Sequence, residues 1–217
     1  MEHKKAYTCE VWDLNGTLLD DVSANLATAN AMLTRRNIAP ITDRDIYRRM
    51  YTFPVIDFYR KAGFDLSAED FTLTAEEYVE TYREMSASSH LFGDAEDVID
   101  SLSRLGVRQV ILSATEHVRL GEEVASYGIA DRFSDILGVG DNLGNSKAAV
   151  GRRFTESYAE GRCLFVGDTV HDATVAEECG GDCVLICRGH MDKERLEATG
   201  WPVFESLNEF FEGFFGK

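Results

Sequence analysis

The stretch "VWDLNGTLLDD", residues 11–21, sets the reading of the whole chain. It closes a strand-like run, "AYTCEVW", that stops abruptly at Asp13. Asn15, Gly16 and Thr17 follow, and then a second acidic pair, Asp20 and Asp21. A carboxylate at the end of an apolar strand acquires a chemical meaning in a parallel sheet, where ligands bind beyond the carboxyl ends of the strands.

The remainder of the chain supplies the elements of such a sheet. Short apolar runs at 7–14, 107–114, 134–140, 162–168 and 182–188 read as strands. Segments of helical period lie between the later ones, at 116–127, 145–159, 170–179 and 192–199. A further helix over 94–105 precedes the second strand, with Gly106 as its C-cap. Strands alternating with helices predict an α/β fold, a Rossmann-like parallel sheet covered on both faces. Residues 22 to about 88 break the pattern: "VSANLATANAMLTRRN", "TDRDIYRRM", "FPVIDFYRKAG" and "SAEDFTLTAEEYVETYREM" all read as helices, each opening near a Ser, Thr or Pro. The expected organisation is a core of residues 1–20 plus 89–217, with a helical cap, 21–88, inserted after the first strand. The aromatic tail "FESLNEFFEGFF" predicts a final amphipathic helix on the sheet.

Composition excludes several function classes. A formal net charge of −16 argues against nucleic acid and against anionic membranes, and suits divalent cations. No run of 18 apolar residues occurs and "MEHKKAYTCE" lacks an apolar leader, so a cytoplasmic protein is expected. Five cysteines, an odd number, argue against a disulfide framework. Cys179, Cys183 and Cys187 are spaced by four, but Gly180 and Gly181 interrupt any helix that would face them to a metal. They are expected to be small buried residues.

What the strands end in carries the chemistry. The first ends at Asp13, the second at Ser113 and Thr115, the fourth at Asp168, with His171 and Asp172 just beyond. The loop "GVGDNLGNSK" leads to Lys147; it lacks the Gly-Lys-Ser/Thr ending of a nucleotide-binding loop. Carboxylates converging without Cys or His select a hard cation such as Mg²⁺. Ser113 and Lys147 are then donors to a phosphoryl group, Gly16 and Thr17 offer backbone N–H groups, and Asp13 is a candidate nucleophile.

Four motifs in this order, "DLNGTL" (13–18), "ILSAT" (111–115), Lys147 opening a helix and "LFVGDTVHD" (164–172), resemble those of the haloacid dehalogenase-like superfamily of phosphohydrolases. The helical insertion resembles the small cap of the branch that includes phosphoglycolate phosphatases. The resemblance implies Mg²⁺-dependent hydrolysis of a small phosphorylated metabolite through an aspartyl-phosphate on Asp13. It implies Asp13, the Asn15 carbonyl, Asp168 and Asp172 as metal ligands. It assigns phosphate to Gly16, Thr17, Ser113, Ala114 and Lys147, and catalysis to Asp13, Asn15 and Lys147. A monomer or a homodimer is expected.

Asn15 departs from that pattern, which has an aspartate there to protonate the leaving alcohol and then activate water. An amide does not shuttle that proton, and such help is worth about 10²- to 10⁴-fold in rate. Four explanations follow: a slow phosphatase or one whose leaving group needs no proton, such as an acyl or aryl phosphate; recruitment of another acid, His171 being nearest in sequence; a phospho-ligand-binding member weakened in catalysis; or an engineered inactivating change. A dehalogenase, whose halide leaves without a proton, is a third function, against which Asp168 and Asp172 would have little purpose. Simpler roles are available to single residues: Ser113 or Thr115 as a helix N-cap, Asp168 as an N-cap with Asp172 in the first turn, and Lys147 as a solvated helix start. In the insertion, Arg48, Arg49, Tyr51, Tyr59, Arg60 and Lys61 are candidates to meet a substrate's anionic end.

Overall fold

In the computed structural model, which describes residues 7–67, 69–140, 147–158 and 161–216, the first run forms strand β1, Tyr7–Trp12. It ends earlier than the expected 7–14 because the Leu14 carbonyl accepts the N–H groups of Leu18 and Leu19, folding the chain into a tight loop. The chain continues through β2 (Leu19–Asp20), α1 (Val22–Arg35), α2 (Arg44–Met50), α3 (Val55–Ala62), α4 (Phe71–Met85) and β3 (His90–Leu91). Then come α5 (Ala95–Arg104), β4 (Arg108–Glu116), α6 (His117–Ser126), β5 (Asp135–Val139) and α7 (Lys147–Ser157). The last part is β6 (Arg162–Gly167), α8 (Val170–Glu178), β7 (Asp182–Ile186), α9 (Lys193–Glu197), β8 (Val203–Phe204) and α10 (Leu207–Phe215).

Six strands form one sheet in the order β5-β4-β1-β6-β7-β8, with every pair parallel. Both faces are covered, which is why the strands read as continuous apolar runs. Trp12, Ile111, Val166 and Val184 pack with Ile99 and Leu102 of α5, Leu120 and Val124 of α6, and Leu207 and Phe210 of α10. Cys9, Val11, Leu112 and Phe165 pack on the other side with Ala173, Val175 and Ala176 of α8 and Leu196 of α9. The aromatic tail thus becomes a core helix, Phe210 meeting Trp12 edge-on at 6.0 Å. Gly106, with φ of 76°, follows the C-cap of α5 in the left-handed conformation that glycine adopts without cost.

Helices α1 to α4 lie between β2 and β3 and surround an apolar cluster of their own, including Met32, Leu33, Tyr47, Phe58 and Tyr59. Where the chain leaves and returns, β2 pairs antiparallel with β3, Leu19 opposite Leu91 and Asp20 opposite His90. This ribbon and β8 have no counterpart among the expected strands, because two residues carry no periodicity. The helix starts also differ from expectation. Asp43 and Asp70 are the N-caps of α2 and α4, accepting from Ile46 N and Thr72 N, while Pro54 precedes α3 as expected. Neither Ser113 nor Thr115 caps α6: β4 runs on to Glu116, whose carboxylate accepts from Val118 N and Arg119 N. Residues 141–146 of the loop before Lys147, and the ends of the expected 145–159 helix, lie outside the described residues. No described helix is long and apolar enough to cross a membrane.

Candidate active site

The register of the sheet brings the strand ends together. Trp12 lies opposite Ile111 of β4 and Val166 of β6, so Asp13, Ser113 and Asp168 emerge along one edge. Lys147, the first residue of α7, reaches the same place, its Nζ 2.5 Å from Asp13 Oδ1 and 2.6 Å from Asp172 Oδ1. It is a buried ammonium between two carboxylates, in contrast to a solvated helix start. Asp13, Asp168 and Asp172 each offer an oxygen within 4.8 Å of the others. The spaced cysteines form no such group among the described residues.

Local structure explains these positions. Thr169, and not Asp168, is the N-cap of α8. Its hydroxyl and the Asp172 carboxylate form a reciprocal capping box, with Asp172 Oδ2 accepting from Thr169 N at 3.0 Å and Thr169 Oγ1 at 2.6 Å. One oxygen of Asp172 is thereby tied to the helix start while the other faces Lys147. Asp168 is fully buried; its Oδ2 accepts from His190 N at 2.5 Å, and its Oδ1 from the Thr17 hydroxyl at 3.3 Å. Gly16 has φ of 77°, and a Cβ there would stand 2.3 Å from Asp168 Oδ2, so the close approach of this loop requires glycine.

The charges do not balance without help. Burial pushes the Asp13 carboxyl up to about 7 although Lys147 pulls it down. Burial likewise pushes Asp168 up to about 8 against the attraction of His190. Asp172 is held low, burial being outweighed by Lys147 and Thr169. Lys147 keeps its proton: burial opposes the charge, but Asp13 and Asp172 outweigh it. Lys147 pairs with two of the three carboxylates, and His190 is already paired with Asp21, so Asp168 has no cationic side chain bonded to it among the described residues. The shortfall in positive charge and the all-oxygen donor set both fit a hard divalent cation such as Mg²⁺.

Above this cluster opens a cavity of about 570 Å³, lined by Asp13, Asn15, Ser113, Ala114, Lys147, Asp168 and Asp172 among others. Gly16 and Thr17 are not among its lining residues; Thr17 is fully buried with its hydroxyl on Asp168. Ser113 Oγ accepts from Thr115 N at 3.1 Å. From the insertion, Tyr51 and Tyr59 line the cavity. Arg48 instead donates to the carbonyls of Arg188 and Gly189, Arg60 pairs with Asp57, and Arg49 and Lys61 are exposed.

Comparison with known proteins matches this arrangement to a family. The family model described as haloacid dehalogenase-like hydrolase matches residues 8–180, which include every strand-end carboxylate above. The chain belongs to the haloacid dehalogenase-like hydrolases. It is 28% identical to a phosphoglycolate phosphatase of Neisseria gonorrhoeae over 229 residues, 98% of this chain and 94% of that one. It is also 28% identical to a phosphoglycolate phosphatase of Xylella fastidiosa, over 85% of this chain and 82% of that one. Among solved structures, a haloacid dehalogenase-like family hydrolase of Streptococcus pneumoniae superposes with a TM-score of 0.74 at 20% identity, covering 95% of this chain and 98% of the other. Protein Tyrosine Kinase A of Mycobacterium tuberculosis superposes with a TM-score of 0.77 at 22% identity, covering 97% and 99%. At these identities the solved structures show the shared fold.

Within this haloacid dehalogenase-like frame, Asn15 belongs to a second buried cluster centred on Asp21. Its Nδ2 donates to Asp21 Oδ2 at 2.8 Å and to the Tyr82 hydroxyl at 3.1 Å. Asp21 also accepts from Tyr82 OH, Asn25 Nδ2 and Gly16 N, and pairs with His190 Nε2 at 3.0 Å. Its carboxyl stays low, burial being outweighed first by His190 and then by Tyr82 and Asn15. His190 Nδ1 meets the Tyr47 hydroxyl at 3.0 Å. Sequence reasoning missed His190, Tyr47 and Tyr82. A signal existed for His190, since "CRGHMD" follows the carboxyl end of a strand, the criterion already used for Asp13 and Asp168. Helical spacing offered none for Tyr82. His171 stacks on Phe53 with ring centroids 4.3 Å apart, and its buried Nε2 has no hydrogen-bond partner among the described residues.

Proposed function

We propose that the protein is a phosphatase that hydrolyses a small phosphate monoester through an aspartyl-phosphate on Asp13. The observation that carries this reading is Lys147 held between Asp13 and Asp172, with Asp168 beside them, at the mouth of a ligand-sized cavity. In this reading Asp13 Oδ attacks phosphorus, Lys147 orients and neutralises the phosphoryl oxygens, and Ser113 and Ala114 bind them from the end of β4. Asp13, Asp168, Asp172 and the Asn15 carbonyl would hold Mg²⁺, which would supply positive charge against the phosphoryl group. Residues 21–88 act as a cap over a core of 1–20 and 89–217, excluding water and setting specificity. The names of the curated relatives support a small phosphorylated metabolite as substrate.

Turnover of a phosphate-ester panel by the wild type, with and without Mg²⁺, beside Asp13→Ala, tests the reading. Phosphate release that requires both Asp13 and Mg²⁺ supports it. Trapping of a phosphoryl group on Asp13, read by mass spectrometry, supports the covalent route. Release unchanged in Asp13→Ala rejects it. A second reading, a phospho-ligand binder that does not turn over, is favoured by the amide at Asn15. It requires ligand binding by a silent wild type and gain of turnover in Asn15→Asp.

A further inference from the structure

Resting on the phosphatase reading, we infer that the substrate carries its phosphate on an aromatic ring, so that the leaving group is a phenol-type oxygen and not an alkyl alcohol such as glycolate. Two independent features lead there, the wall of the cavity and the lack of a proton donor beside Asp13.

The wall is aromatic. Tyr47, Tyr51, Phe53, Phe58, Tyr78 and Tyr82 all line the cavity that opens over Asp13. The hydroxyls of Tyr47, Tyr78 and Tyr82 are engaged, with His190, Asn25 and Asp21 respectively, which leaves mainly ring surface for a ligand. Tyr51 stacks on His190 at 5.0 Å and Phe53 on His171 at 4.3 Å, so the aromatic surface runs from the α2–α3 segment down to the strand ends. A volume of about 570 Å³ is far larger than a two-carbon acid needs. A flat ring gains from that wall by burial and offset stacking, whereas a small polar acid would desolvate it without return. Among the cavity's cations, Lys147 is held by its two aspartates, Arg83 is exposed, and Arg119 stands beside Glu122 and Glu123 with a buried Nη1 that has no hydrogen-bond partner among the described residues.

The hydrogen-bonded groups around Asp13 give a leaving oxygen no proton, which leaves His171, its buried Nε2 without a partner among the described residues, as the alternative acid. Asn15 is an amide with its N–H groups on Asp21 and Tyr82. Asp21 is ringed by donors, both nitrogens of His190 are bonded, and Lys147 bridges Asp13 and Asp172. An alkoxide expelled there would be strongly basic. A phenoxide, whose acid has a pKa of about 10, departs as the anion. The step balances: Asp13 Oδ forms the bond to phosphorus, the aryl oxygen–phosphorus bond breaks, and its electron pair leaves on the phenoxide, which takes a proton from solvent. Water then attacks phosphorus, the aspartyl oxygen–phosphorus bond breaks, and Asp13 departs as a carboxylate. The water's protons pass to the released phosphate and to solvent.

The test compares kcat/KM for phenyl phosphates of graded leaving-group acidity, phosphoglycolate and acetyl phosphate, each against Asp13→Ala. The expected result is aryl turnover that falls steeply as the phenol becomes less acidic, with a flatter dependence in Asn15→Asp. Tyr51→Ala and Phe53→Ala are expected to raise KM for phenyl phosphate about tenfold, and by more than for acetyl phosphate. Preference for phosphoglycolate over phenyl phosphate overturns the inference and leaves the phosphatase standing. A flat dependence in the wild type also overturns it, and steepening on His171→Asn would then identify the acid. Absence of any Asp13-dependent turnover, acetyl phosphate included, rejects the phosphatase reading itself.

Discussion

Asn15 donates its amide to Asp21 at 2.8 Å, inside a pocket where Asp21 is fully buried and already paired with His190. Asn15 is therefore a neutral donor to a buried carboxylate. Asn15→Asp would set a second carboxylate against the first and remove the hydrogen bond. It is expected to lower stability by about 1–3 kcal/mol in metal-free buffer at neutral pH. Urea denaturation checks this; an unchanged midpoint would mean that the Asp21 cluster does not depend on the amide.

Mg²⁺ is expected to raise the melting temperature of the wild type, because a cation that binds the folded chain stabilises it by about 2.7 kcal/mol at a hundredfold excess over Kd. Asp168→Asn removes one of the three clustered carboxylates and is expected to abolish most of that rise. Thermal melts with Mg²⁺ or chelator, read with no substrate present, separate metal binding from activity. Equal shifts in the two proteins would exclude Asp168 as a ligand.

Gly16→Ala is expected to disturb the site from behind. Its Cβ would lie 2.3 Å from Asp168 Oδ2 and 2.6 Å from His190 Cδ2, at a φ of 77° that side chains rarely adopt. A cost of about 1–3 kcal/mol follows from the strained backbone alone. The Mg²⁺-dependent thermal shift should shrink with it, since Asp168 must move. A variant as stable and as responsive as the wild type would contradict the close approach.

Glu10 lies in the middle of β1, fully buried, and neither carboxylate oxygen has a hydrogen-bond partner among the described residues. Burial pushes its carboxyl well above the ordinary value. A carboxyl whose folded pKa exceeds its unfolded one carries no penalty below the unfolded value of about 4.3, and costs increasing stability as pH rises beyond it. Glu10→Val is therefore expected to stabilise the protein by about 1–3 kcal/mol at neutral pH, with the gain shrinking toward pH 4. Urea midpoints measured across that range test both the sign and the slope.

The alternation of short apolar runs with helical segments determined the parallel sheet, and the pattern over residues 22 to about 88 predicted a run of helices, found as α1 to α4, because these patterns are local and repeat at the period of the element they form. The strand ends were legible for a related reason. Parallel strands in register deliver their carboxyl ends to one edge, so the sequence alone places Asp13, Ser113 and Asp168 there. Two-residue strands, the Asp caps and the capping role of Glu116 were not legible, since each turns on one or two local hydrogen bonds. Only the tertiary structure decided that Asn15 and its near neighbour Asp21 meet Tyr82 and His190, which lie far from them along the chain. It also decided that α2, α3, α4 and the segment between α2 and α3 turn aromatic rings into the cavity above the strand ends. Side chains brought together over such separations leave no periodic trace in the sequence, because their meeting depends on the packing of whole elements and on the burial that makes each unpaired polar group costly.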